Sequence, residues 1–174
     1  AFECSAFADP PRELSFEHRR QRLLHELTVA HPADILCLQE VDREVMYADF
    51  LEPHLRHLGF KSTYANKMNT TTPLGCSVHW RDARMELVDQ VALDLTAAAR
   101  TEDCNADIAA LLLVTPVLDE VMRKTTSVAN IVLLRERDGS GRALCIANVH
   151  LYGDPGAPHV RLLQTVLVLR GCEH

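Results

Sequence analysis

The residues best placed to do chemistry close two apolar runs. Ile35-Leu36-Cys37-Leu38 ends in the polar Gln39-Glu40, and Ile146-Ala147-Asn148-Val149 ends in His150, ahead of the loop-like Tyr152-Gly153-Asp154-Pro155. A carboxylate emerging from a buried strand is held at the rim of a sheet, where it can grip a hard cation such as Mg²⁺ by oxygen while the ion keeps most of its waters. A histidine at a similar rim can donate to a phosphate oxygen or shuttle a proton. Each also has a plainer reading. Glu40 with Arg43 fits a solvated loop after a strand, and His150 fits a ring satisfied by backbone groups. His79, beside Trp80, reads as a strand-face residue, and the remaining histidines read as helix-surface or terminal. Arg19, Arg20, Arg22, Arg43, Lys61, Lys67 and Arg161 are too scattered for a binding groove and read as solvated surface. The phosphate-loop GxxxxGK[ST], the zinc-binding HExxH and the nucleophile-elbow GxSxG are all absent, so P-loop, zincin and serine-hydrolase chemistry lack support.

The elements that must position Glu40 and His150 follow from periodicity. Ser15 is placed to cap a helix whose apolar stripe is Phe16, Leu23, Leu24 and Leu27, ending near His31-Pro32. The first apolar run is a short strand buried on both faces. Residues 44 to 58 have helical spacing, with Gly59 where a C-terminal glycine belongs. Lys61 to Asn66, Cys76 to Trp80 and Met85 to Leu95 alternate like antiparallel strands, with Thr70, Thr71, Thr72, Pro73 and Gly75 supplying a loop. Residues 97 to 126 turn to Ala, Leu and Asp, which reads as a helical insertion broken at Pro116. Val128 to Arg135 and Ala143 to Val149 flank Asp138-Gly139-Ser140-Gly141 as a hairpin, and Val160 to Leu169 returns to helical spacing. There is no internal repeat. The sum is mixed α/β, with sheet layers covered by helices.

Composition bounds the class. The chain has 174 residues, 47% of them hydrophobic and 24% charged, which suits one globular domain or part of a larger one. Aromatics make up only 5%, so aliphatic side chains must build the core. The formal net charge of -6 lacks the global positive field of many passive nucleic-acid binders, so any phosphate chemistry needs local charge or a metal. The longest apolar stretch, Ile108 to Val121, is interrupted by Pro116 and falls short of the roughly 20 residues of a membrane span, so the chain reads as soluble, with no membrane partner. Ala1 to Pro10 shows no signal-peptide pattern, which leaves targeting undecided. Six cysteines (Cys4, Cys37, Cys76, Cys104, Cys145 and Cys172) are widely spaced with no CxxC. They read as reduced structural thiols of an intracellular protein, with Cys37 and Cys145 buried in their strands.

The run Ala33-Asp34-Ile35-Leu36-Cys37-Leu38-Gln39-Glu40-Val41-Asp42-Arg43, preceded by the Arg19-Arg20-Gln21-Arg22 helix and followed much later by Ala147-Asn148-Val149-His150-Leu151-Tyr152, resembles the endonuclease/exonuclease/phosphatase superfamily. The resemblance falls in its deadenylase-like branch, which includes CCR4-type deadenylases, Nocturnin, Angel and the 2′-phosphodiesterase. Gln39 to Arg43 and His150-Leu151-Tyr152 are most similar to the last of these, and Gly75-Cys76 and Val160-Arg161-Leu162-Leu163-Gln164 also fit the group. The resemblance implies a two-layer β-sandwich flanked by helices, with the site at one end. It implies Mg²⁺ as cofactor, Glu40 as its ligand, His150 facing the scissile phosphate, and Pro155 near a nucleotide base. The implied activity is trimming of RNA from its 3′ end, on a poly(A) or 2′,5′-oligoadenylate type of substrate, in an intracellular setting that similarity to the 2′-phosphodiesterase makes mitochondrial.

The family's first strand, with its active-site Asn, would precede Ala1. Its Asp-x-Asn motif and terminal Asp-His pair would follow Cys172, and Gly153 stands where an aromatic often follows His-Leu-x. The expectation is therefore that 1–174 is the N-terminal portion of one such domain and incomplete. Alone it should catalyse poorly, because catalytic groups act as a unit, and half a sandwich should leave an inner face uncovered and strand edges open. The alternative is a catalytically degenerate member that serves as a structural or RNA-scaffolding subunit among the other protein chains of a ribonucleoprotein assembly.

Overall fold

The computed structural model describes residues 10–68, 71–101 and 103–173, the side chains of Pro10 and Pro11 excepted. The Ala1–Asp9 stretch, Cys4 within it, and Thr70 of the expected loop lie outside the described residues. The chain runs α1 (Pro10–Glu13), α2 (Phe16–His25), β1 (Ile35–Asp42), α3 (Glu52–His57), β2 (Phe60–Asn66), β3 (Leu74–Arg81), β4 (Met85–Asp94), α4 (Leu95–Thr101), α5 (Ala106–Val114), α6 (Pro116–Lys124), β5 (Val128–Glu136), β6 (Ala143–Val149) and α7 (Pro158–Gly171). The strands form two antiparallel sheets of order β1-β3-β2 and β4-β5-β6.

Helices cover the outer face of each sheet, which gives the two-layer sandwich flanked by helices. On the first sheet, Leu36, Val41 and Phe60 pack with Phe50, Leu51 and Leu55, joined by Phe16 and Leu24 of α2 and by Leu27 just beyond its end. Ser15 caps that helix by accepting from the His18 N–H. Arg20, expected to be wet, instead lies over the Phe50 ring. On the second sheet, Leu93, Ala129 and Ile131 pack beneath α4 to α7. Val160, Gln164, Leu167 and Val168 form the buried stripe of α7. The helical region breaks ahead of Pro116, between α5 and α6, and Pro116 opens α6 from its first turn, where its missing N–H costs nothing. Among the described residues, no helix is long and apolar enough to cross a membrane.

Between the sheets, Val78 and Trp80 meet Met85, Val132 and Leu134. The inner faces therefore cover one another, so the expected bare inner face does not occur: three strands from each sheet suffice to pair. The reading of two doubly buried strands is also corrected. β1 and β6 are edge strands, and Cys37 and Cys145 on them are exposed. The doubly buried strand is β3, central in its sheet and buried from Gly75 to Trp80. The second helical region is split in geometry: Arg43–Leu51 is wound as a π-helix before α3 continues it, as Glu26–Ala30 is after α2. Gly59 follows α3 with φ 84°, the left-handed value a helix end needs.

Candidate active site

β1 is set against β3 with one residue too many. Leu38 faces Ser77 and Val41 faces Gly75, so three steps on β1 oppose two on β3. A bulge of this kind re-aims the side chain at the extra residue. Glu40 sits there with φ 57°, alone among the described non-glycine residues in having positive φ. Both flanks are pinned. The Tyr64 hydroxyl donates to the Val41 carbonyl at 2.8 Å, and Asp42 Oδ1 accepts from the Glu44 and Val45 N–H groups at 3.0 and 2.7 Å, which starts the π-helix. Burial and nearby Asp42 hold the Tyr64 phenol up at about 12, so it remains a donor across the physiological range.

The re-aimed carboxylate meets two basic groups. Glu40 Oε1 accepts from Lys67 Nζ at 2.8 Å and lies 3.0 Å from His150 Nδ1. The Lys67 hydrogen bond, helped by its charge and by the His150 contact, keeps the Glu40 carboxyl below the usual carboxylate range against the opposing effect of desolvation. Glu40 and His150 are about half exposed, whereas only 18% of the Lys67 side chain is exposed. Lys67 therefore departs from its reading as solvated surface. It directly follows β2, and the antiparallel β2–β3 ladder carries it to the rim occupied by Glu40.

A side-chain bridge behind the pair joins the two sheets. Asn148, two residues before His150 and buried, donates through Nδ2 to the Leu38 and Ser77 carbonyls, both at 2.9 Å. Its Oδ1 accepts from Gln39 Nε2. A second buried amide, Asn130, donates to Thr63 Oγ1 at 3.0 Å and to the Cys76 carbonyl at 3.2 Å. The sequence marked these asparagines only as strand members. A buried polar residue in an apolar run was the available signal, because such groups are almost always bonded.

Pro155 lies in the loop that follows His150. Arg161, read from sequence as solvated surface, holds that loop by donating to the carbonyls of Tyr152, Asp154 and Pro155. Tyr152 N–H donates to Gln164 Oε1 at 2.8 Å, which ties the loop to the buried stripe of α7. Of the three sequence candidates, Glu40 and His150 are thus brought into direct contact, while Pro155 occupies the neighbouring loop. The described residues hold no cluster of three or more His, Cys, Asp or Glu side chains able to bind a metal by themselves. A single half-exposed carboxylate still suits Mg²⁺, which commonly takes one or two protein oxygens and completes its shell with water and substrate phosphate.

No protein-family model matches the chain. It is 29% identical over 164 residues to mouse (Mus musculus) 2′,5′-phosphodiesterase 12, covering 94% of this chain and 26% of that protein. It is 30% identical over 165 residues to the CCR4-Not complex 3′-5′-exoribonuclease subunit Ccr4 of Yarrowia lipolytica, covering 90% of this chain and 22% of that one. The structure superposes on the human Nocturnin catalytic domain, solved with a bound sulfate anion, with TM-score 0.67 and 30% identity over 91% of this chain and 51% of that domain. The chain therefore spans about a quarter of the curated relatives and half of the solved domain. A helix-flanked sandwich of this topology, matched by relatives that agree in class, gives the chain the fold of the endonuclease/exonuclease/phosphatase superfamily and makes it similar to the deadenylase-like branch of that superfamily.

Proposed function

We infer that the protein is a Mg²⁺-dependent phosphodiesterase that trims RNA from its 3′ end, on a poly(A) or 2′,5′-oligoadenylate type of substrate. One observation carries this reading: Glu40 and His150, from edge strands of different sheets, meet at 3.0 Å on one rim. The relatives named for 3′-5′-exoribonuclease and 2′,5′-phosphodiesterase activity support it. Glu40 would hold the cation by oxygen, within a shell completed by water and phosphate. When bound, Mg²⁺ neutralises phosphate charge and orients a water, supplying the positive field that a net charge of -6 does not. His150 keeps Nδ1 on Glu40, which fixes the ring and assigns Nε2 to donate to a phosphate oxygen. Lys67 keeps the carboxyl ionised and adds a cation beside the phosphate. Pro155 would offer its apolar ring to the terminal base.

The scaffolding alternative also has an observation in its favour. Lys67 already occupies the carboxylate oxygen that a cation would use. The two readings separate in a trimming assay on 3′,5′- and 2′,5′-linked oligoadenylates, with Mg²⁺ or EDTA, comparing the natural protein with Glu40→Ala and His150→Ala. The enzyme reading expects shortening only with Mg²⁺, reduced on the order of 10²-fold or more in each variant. RNA binding without shortening in the natural protein would establish the scaffold.

A further inference from the structure

Cys145 and Cys172 take no part in the candidate site, yet the fold gathers them. Cys145 faces Leu133 across the β5–β6 ladder, on the face of the second sheet that also carries Ile131 and that α7 crosses. The end of α7 reaches this face because residue 171 is glycine: a Cβ there would stand 2.8 Å from Leu93 Cδ2 and 3.0 Å from Ile131 Cδ1. Cys172 comes next, its N–H donating to the Val168 and Leu169 carbonyls at 3.1 Å. It shares with Cys145 the wall of a cavity of about 250 Å³, together with Asp89, Gln90 and Glu173. Both are free thiols, and Cys145 lies near enough to act on the Cys172 thiol.

We propose that Cys145 and Cys172 are a modification site, a dithiol that closes to a reversible disulfide on reaction with a low-molecular-weight disulfide such as glutathione disulfide. Exposure sets the order. Burial, with Cys145 alongside, pushes the Cys172 thiol up to about 11, so it keeps its proton, whereas Cys145 is open to solvent. The Cys145 thiolate attacks one sulfur of the small disulfide, a mixed disulfide forms, and the first small thiol leaves. Cys172 then gives up its proton and attacks Cys145 Sγ, expelling the second small thiol. Two protein thiols are oxidised to one disulfide, one small disulfide is reduced to two thiols, and the two protein protons end on the leaving thiols. The bond ties the end of α7 to β6, the strand whose far end carries His150. This departs from the sequence reading of both cysteines as inert structural thiols, and it does not depend on the phosphodiesterase reading.

The test is intact-mass and peptide-level mass spectrometry on the full chain after incubation with glutathione disulfide. The expected product has lost about 2 Da and maps to a Cys145–Cys172 cross-linked peptide, reversed by dithiothreitol. Cys172→Ser should halt at a glutathione adduct on Cys145, and Cys145→Ser should abolish the cross-link. Separate stable adducts on Cys145 and Cys172 in the unsubstituted chain would overturn the proposal. So would a cross-link to Cys37 or Cys104 instead, or failure of both thiols to react when the urea-unfolded chain reacts.

Discussion

At Glu40 a left-handed backbone costs on the order of 1 kcal/mol for a residue with a side chain, and the cost is met locally by the Tyr64 bond to Val41 and the Asp42 cap. The conformation turns an edge-strand carboxylate toward Lys67 and His150, so the site's electrostatics rest on a single residue's φ. A different burden falls on His79, which is fully buried. Its Nε2 meets Ser77 Oγ at 3.0 Å while its Nδ1 has no partner among the described residues. Burial depresses the ring to about 4, well below its ordinary 6.5. The unfolded chain therefore binds a proton on this ring between about pH 6.5 and 4 that the folded chain refuses. Stability is full above that window and falls by about 3 kcal/mol as the pH drops through it. Urea unfolding of the natural chain against His79→Gln, measured from pH 7 to 4, should show a shallower fall in the variant. Parallel curves would mean that the fold relaxes to solvate the ring.

Among the elements, β3 bears the tightest constraint. Gly75 lies opposite both Val41 and Asn66, and a methyl there would overlap the Ala65 carbonyl and come within 2.6 Å of the Tyr64 ring. Gly75→Ala should cost about 1–3 kcal/mol and disturb the Tyr64 support of the Glu40 bulge. Gly153→Ala, with nothing near its Cβ, should stay within about 0.5 kcal/mol in the same thermal-unfolding measurement. The strands and helices themselves were legible because alternation and the Phe16, Leu24, Leu27 stripe are local patterns. The ends of both site-bearing runs were legible too, since Glu40 and His150 each break an apolar stretch. The bulge was not, because one extra residue on β1 is defined only by its register with β3, almost forty residues away. The π-winding of Arg43–Leu51 leaves the apolar spacing nearly unchanged, and nothing near Lys67 announces that the residue after β2 reaches, across the start of β3, the rim where Glu40 sits. Exposure of Cys37 and Cys145 followed from strand order, which hydropathy does not encode.

Across the whole molecule, the two sheets share one inner layer, and Trp80, the chain's single tryptophan, lies within it at 1% exposure. Its fluorescence therefore reports on contact between the sheets, while far-ultraviolet dichroism reports on the elements. Val132→Ala, at a fully buried position of β5, should remove about 2 kcal/mol and lower both thermal transitions together by roughly 4–8 °C. A tryptophan transition that precedes the dichroism change would show the sheets separating before they melt. The Asn148 amide acts at the same level. It holds carbonyls on two neighbouring strands of the facing sheet, so the gap between the layers at the Glu40 end is gauged by one side chain of fixed reach. Apolar surfaces slide continuously, but a spacer of this sort admits only engaged and disengaged states. The separation of Glu40 from His150, one on each layer, is thus machined from behind, to a tolerance set by a group that touches neither.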